Sequence, residues 1–118
     1  MKIWDISVLY MGKITMPFST LLSVSYAFGA PKVDHDFLIS APYLGFLLIS
    51  GNKIILVDTG ISSKFIVDGK AWAGLDAEGG DFYVKEALKD LNIDVTQIQT
   101  VIYTHLHNDH AGNCGLFK

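Results

Sequence analysis

The sequence predicts a mixed α/β fold in which a helix packs on one face of a sheet. Three observations carry this. Apolar runs of strand length recur at Tyr43–Ile49, Lys53–Val57 and Ile98–Tyr103. One stretch with helical spacing lies between the second run and the third. Clusters of glycine and polar residues separate them, which is the order strand, strand, loop, helix, strand. The chain has 118 residues, 50% of them hydrophobic, which is one domain's length and enough for a core.

The elements follow in order. Ile3–Ile14 is dense in β-branched and aromatic residues and predicts a strand ending near Gly12 and Lys13. From Met16 to Asp36 the pattern is broken by Pro17, Gly29 and Pro31. Leu21, Leu22, Val24, Tyr26 and Phe28 there fit either an irregular strand or a covering loop. Phe37–Ile39 is a short strand candidate. Ser50-Gly51-Asn52 between the next two runs reads as a tight hairpin turn. All three apolar runs read as strands covered on both faces, Lys53–Val57 most clearly. That strand runs into Asp58-Thr59-Gly60, a carboxylate at the edge of a buried strand. Ile61–Gly80 carries Gly69, Gly74, Gly79, Gly80 and Trp72 and predicts a long loop with one helical turn at its start, placed to cover a pocket. Val84, Ala87, Leu88 and Leu91 then fall at i, i+3, i+4 and i+7, so the helix is read as Asp81–Leu91, capped by Asp81 and stopped by Asn92.

Composition excludes several function classes. All 9 basic residues are lysines and the formal net charge is -3. Without arginine there is no planar fork for bases or paired phosphates, which argues against nucleic acid. The single cysteine, Cys114, excludes an internal disulfide framework and is read as a small buried side chain. It fits a reducing compartment, so a cytoplasmic location is expected. The apolar stretch Ala41–Ile49 is about half of the ~20 residues needed to span a bilayer. Asp5 interrupts the apolar N-terminus, which reads as a mature strand and not a signal peptide. No membrane association is expected.

The densest polar cluster follows the last strand, at Thr104-His105-Leu106-His107-Asn108-Asp109-His110-Ala111-Gly112-Asn113. Three of the chain's 4 histidines stand here with an aspartate between them. Imidazole and carboxylate are ligands for a borderline-soft divalent ion, zinc first. In extended backbone His105 and His107 point the same way. A turn into a helix would send Asp109 and His110 apart from that pair, to suit a second ion about 3.5–4 Å from the first. The cysteines of a zinc finger and the His-Glu-x-x-His of a zincin protease are absent. His35, the remaining histidine, is read as an ordinary polar loop residue.

His105-x-His107-x-Asp109-His110 with Gly112 behind it resembles the signature of the metallo-β-lactamase superfamily. Leu56-Val57-Asp58-Thr59-Gly60 resembles that superfamily's second marker. The resemblance covers Tyr43 to Asn113 well and implies the following. The fold is half of a four-layer αββα sandwich, residues 1–118 forming the N-terminal part of a hydrolase domain. His105 and His107 bind a first zinc ion, and Asp109 and His110 a second. Asp109 also orients a bridging hydroxide, which makes it the catalytic candidate. Asp58 supports the ligands from behind, and Thr104 hydrogen-bonds to a ligand or to the backbone. Histidine at position 107, where the flavodiiron branch has glutamate, points to hydrolysis. Further ligands come from a later segment in complete members, so a missing half, in cis or as a second chain, is an expected partner, and the isolated chain is expected to be inactive.

The implied chemistry is attack by zinc-bound hydroxide, needing no serine or cysteine nucleophile. Gly69-Lys70-Ala71-Trp72, Gly79-Gly80 and the histidine cluster look most like the branch containing N-acyl homoserine lactonases and related esterases. A lactone or carboxylic ester is therefore the first substrate class. A glyoxalase II type thioester, a phosphodiester or a β-lactam is the alternative, and a non-catalytic interaction module or homo-oligomer remains open.

Overall fold

The computed structural model describes residues 2–21 and 37–117. His35 and the strand-or-loop alternative for residues 22–36 lie outside the described residues. The elements are β1 (Asp5–Pro17), α1 (Phe18–Leu21), β2 (Leu38–Ser50), β3 (Lys53–Val57), β4 (Ala77–Glu78), α2 (Asp81–Lys89), β5 (Thr100–Ile102) and α3 (Asn108–Ala111). They form one sheet of order β4-β1-β2-β3-β5, with a parallel β3–β5 pair beside antiparallel neighbours. No helix among the described residues is long and apolar enough to cross a membrane.

The first strand is longer than its sequence predicts. A bulge between Tyr10 and Lys13 lets β1 continue to Pro17, still paired with β2. Gly12 makes that bulge possible: its φ is 111°, and a Cβ there would lie 2.1 Å from the Glu78 carbonyl oxygen. Phe37–Ile39 is not a separate strand, because Leu38 and Ile39 open the single strand β2. The hairpin turn is as read, with Gly51 at φ 59° and Ser50 paired to Lys53.

Side chains alternate across the sheet. Leu9, Met11, Leu47 and Leu56 are buried on one face, where Val84 and Leu88 of α2 pack into the same core. Ile6, Val8, Tyr10, Leu44, Phe46 and Ile102 are exposed. The register stacks Val8 on Phe46, Phe46 on Val57 and Val57 on Ile102, so these side chains share the other face. Strands suited to two covers thus leave one apolar face open among the described residues, as expected of a sheet whose second cover comes from a further segment. Continuous apolar sequence marks a sheet suited to two covers, and the described residues supply one.

The helix also differs at both ends. Gly80, at φ 120°, occupies the cap and Asp81 is the first helical residue, its carboxylate bonded to Lys85 at 2.7 Å. The α-helix stops at Lys89, and Asn92 at φ 57° turns the chain away. β5 is shorter than Ile98–Tyr103. Asp94 and Gln97 form a capping box around a 3-10 turn, Val95–Gln97, which holds Ile98 at its end. The loop from Ile61 contains the expected helical turn at Ser63–Phe65 and a second at Trp72–Gly74.

Candidate metal centre

Because β3 and β5 are parallel, their C-terminal ends meet at one sheet edge. The Asp58 backbone N–H donates to Ile102 at 2.9 Å, tying the two exits together. Asp58 is 2% exposed and held at φ 63°, an uncommon backbone for aspartate. Its carboxylate is fully engaged. Oδ1 accepts from the Thr104 backbone N–H at 2.8 Å, and Oδ2 accepts from Thr104 Oγ1 at 2.7 Å and His110 Nδ1 at 2.8 Å. Burial pushes its pKa up, but the hydrogen bonds from His110 and Thr104 outweigh burial and hold it below the ordinary carboxylate value. An ionised carboxylate only accepts, so His110 carries its proton on Nδ1 and keeps the Nε2 lone pair free. Thr104 spends its hydroxyl proton on Asp58 and offers a lone pair to His105 Nδ1, 3.1 Å away. That fixes the same tautomer on His105.

A second tie was not legible as functional in the sequence. Thr59 donates to the His110 carbonyl from its backbone N–H at 2.6 Å and its hydroxyl at 3.0 Å. Asn113, 6% exposed, donates from Nδ2 to the carbonyls of Thr59 at 2.8 Å and Ile61 at 2.9 Å. Gly112 is required between these loops, since a Cβ there would meet the Ser62 nitrogen at 2.4 Å. Asn113→Ala strands two buried carbonyls and should cost about 1–3 kcal/mol in urea denaturation of the metal-free protein. An unchanged midpoint would show that the amide bridge is dispensable.

The predicted site residues stand together. The His105 ring lies 4.6 Å from that of His107 and 4.0 Å from that of His110, centroid to centroid. Asp109 Oδ2 is 3.5 Å from His110 Nε2. α3 starts directly after His107, so Asp109 and His110 leave the extended segment on a helical turn. Among the described residues no group of three or more His, Cys, Asp or Glu side chains is arranged to hold a metal ion as it stands. The donor chemistry nevertheless fits one. Three imidazoles and a carboxylate are gathered at one strand end, and a buried carboxylate holds one of those imidazoles by its far nitrogen, as outer groups do around metals.

A cavity of about 660 Å³ opens beside this cluster. His107 and Asp109 form one wall, and Ile14, Met16, Trp72 and Leu106 line much of the rest. Trp72 belongs to the long loop that its sequence marks as a pocket cover. Tyr43 also lines the cavity; burial first, and the charge of Asp109 second, push its phenol up to about 12. Its place was readable from the i, i+2, i+4 series Tyr43, Gly45, Leu47, all on the buried face of β2. Cys114 is exposed, which corrects its reading as a buried side chain: it follows Asn113, whose amide takes the inward position.

The sequence profile described as metallo-beta-lactamase superfamily matches residues 44–118, which span both marker loops. The chain belongs to that superfamily. Its mixed sheet with flanking helices corresponds to part of the superfamily's four-layer αββα sandwich. An N-acyl homoserine lactonase, AiiB of Rhizobium rhizogenes, is 31% identical over 81 residues, which are 64% of this chain and 29% of that protein. An N-acyl homoserine lactone hydrolase solved with N-hexanoyl-L-homoserine at its catalytic metal centre superposes with a TM-score of 0.75 at 21% identity. The match covers 99% of this chain and 46% of that one. AidC, a dizinc quorum-quenching lactonase, gives 0.62 at 20% identity, over 95% of this chain and 37% of that one. The solved structures carry the fold, and this chain spans under half the length of each relative named.

Proposed function

We propose that this chain is the N-terminal part of a zinc-dependent hydrolase whose substrate is a lactone or carboxylic ester, an acyl homoserine lactone first. One observation carries the reading: the buried Asp58 carboxylate that fixes the His110 tautomer beside His105, His107 and Asp109. His105 and His107 would hold one ion, Asp109 and His110 a second. Bound zinc supplies a water acidified towards a pKa of about 7 and a Lewis acid for the carbonyl. The chain's own residues do the rest. Asp58 and Thr104 keep the Nε2 atoms of His110 and His105 aimed outward as lone-pair donors. Asp109 contributes negative charge at the same edge. The apolar cavity beside them receives the substrate's tail and excludes water from it.

Within this reading a further segment, in cis or as a second chain, covers the apolar outer face of the sheet and completes the ligand set. The lone exposed cysteine suits a reducing, cytoplasmic setting. That apolar face also favours a second reading, an interaction module without turnover. The test uses the intact protein that contains this chain, stripped of metal and titrated with zinc by calorimetry. Proton release is then followed with N-hexanoyl homoserine lactone, a thioester and a phosphodiester. Zinc binding with lactone turnover that a chelator abolishes is expected. Zinc binding without turnover on any of the three favours the module, and absence of zinc binding overturns both metal roles.

A further inference from the structure

Thr59 is polar and 0% exposed, and both of its donors reach one atom. Its backbone N–H meets the His110 carbonyl oxygen at 2.6 Å and its hydroxyl meets the same oxygen at 3.0 Å. The preceding residue, Asp58, takes the other end of His110, with Oδ2 at 2.8 Å from Nδ1. Two consecutive residues therefore hold His110 by its ring and by its backbone. The backbone hold answers a need of α3. A single helical turn does not sustain itself, because nucleation costs more than its few hydrogen bonds return. Within that turn the N–H groups of His110 and Ala111 both bond to His107, at 3.0 and 2.9 Å. The next amide, Gly112, already donates outside the turn, to the Gly60 carbonyl at 3.0 Å. The direction in which the chain leaves His107 is thus set from the Asp58–Gly60 loop. Asp109 and His110 stand on that turn, whereas His105 and His107 come before it.

We infer that Thr59 is a positioning residue for the second ion and not for the first: its hydroxyl, acting through the His110 carbonyl, fixes the turn that presents Asp109 and His110. This rests on the two-ion hydrolase reading and assigns to one side chain a difference between the two halves of the centre. A hydroxyl suits the place because it donates and accepts at once. It donates to the His110 carbonyl, and its oxygen takes the Asn113 N–H at 3.2 Å, so the chain is tied on both sides of Gly112. A valine of the same shape fills the space and breaks both of these ties, leaving the bond from the backbone N–H of position 59. Serine keeps both.

The test compares the intact protein that contains this chain with its Thr59→Val and Thr59→Ser variants, each stripped of metal and titrated with zinc by calorimetry. The binding step that belongs to Asp109 and His110 is identified as the one that Asp109→Asn weakens. Thr59→Val should weaken that step about 3–10-fold, the size of one neutral hydrogen bond, and leave the other at the parent affinity. Thr59→Ser should match the parent in both. Equal affinities in all three proteins, or equal weakening of both ions in Thr59→Val, overturns the inference. Amide hydrogen exchange in the metal-free protein keeps it apart from the hydrolase reading. In Thr59→Val the amides of Ala111, Gly112 and Asn113 should exchange about 3–10-fold faster, while those of β5 keep their parent rates. Faster exchange confined to that turn supports the clamp even if no zinc binds, and unchanged exchange sinks it whatever the zinc titration gives. Should Thr59→Val fail to fold, Thr59→Ala set against Thr59→Ser makes the same comparison, since those two differ by one oxygen atom.

Discussion

Asp109→Asn in the intact protein should lower zinc affinity and lactone turnover by more than about 100-fold. Outer-sphere partners of a metal typically cost 10–100-fold when removed, and a ligand should exceed them. Among the described residues of the cluster, Asp109 is the carboxylate not already spent on protein hydrogen bonds, since Asp58 is fully engaged. Its Oδ2 lies 3.5 Å from His110 Nε2, which puts a negative charge beside that imidazole nitrogen. The asparagine keeps the volume and removes the charge. Calorimetric zinc titration and initial rates on the same preparation measure both effects. A variant that binds zinc as tightly as the parent would remove Asp109 from the ligand set.

Replacing Asp58 should cost about 10–100-fold in zinc affinity or activity. Two variants separate the causes. Asn is tolerated at positive φ, so Asp58→Asn leaves the backbone at φ 63° relaxed. It weakens the hold on the Nδ1 proton of His110 and frees the ring to adopt the tautomer whose Nε2 is blocked. Asp58→Ala loses the same hold and leaves the part-buried Thr104 and His110 donors without their acceptor, so it should also lose about 1 kcal/mol of stability. Zinc titration of all three forms, with urea melts, is the measurement. Equal affinities and equal rates in parent and Asp58→Asn would refute the supporting role.

What the sequence disclosed depended on how local the cause was. The His105 to His110 spacing and the Leu56 to Gly60 strand exit are contiguous, so both loops could be located without coordinates. The strand–turn–strand from β2 to β3 was readable for the same reason. Tyr43 and Asn113 were not marked as site residues, because their partners are distant in sequence: Asn113 meets Thr59 and Ile61, and Tyr43 meets the cavity only once the long loop folds over it. Element ends failed where a short-range competitor decided them. Gly80 took the cap from Asp81, the Asp94–Gln97 box shortened β5, and the Gly12 bulge carried β1 past its expected stop. The open sheet face was legible by counting: strands with apolar residues on both faces call for two covers, and the sequence supplies one amphipathic helix, Asp81–Leu91.

The ties between the two marker loops have a kinetic meaning. Asp58 to Thr104 spans 46 residues, Thr59 to His110 spans 51 and Asn113 to Thr59 spans 54. None is a contact that a growing segment can make with its own neighbours, so the cluster has no local precursor. It comes into being only when the crossover through α2 docks and β3 closes on β5, a non-local step with its own loop-closure entropy. An ion captured by these side chains would therefore be held only after that closure and would reward it, coupling metal supply to the docking of the two marker loops.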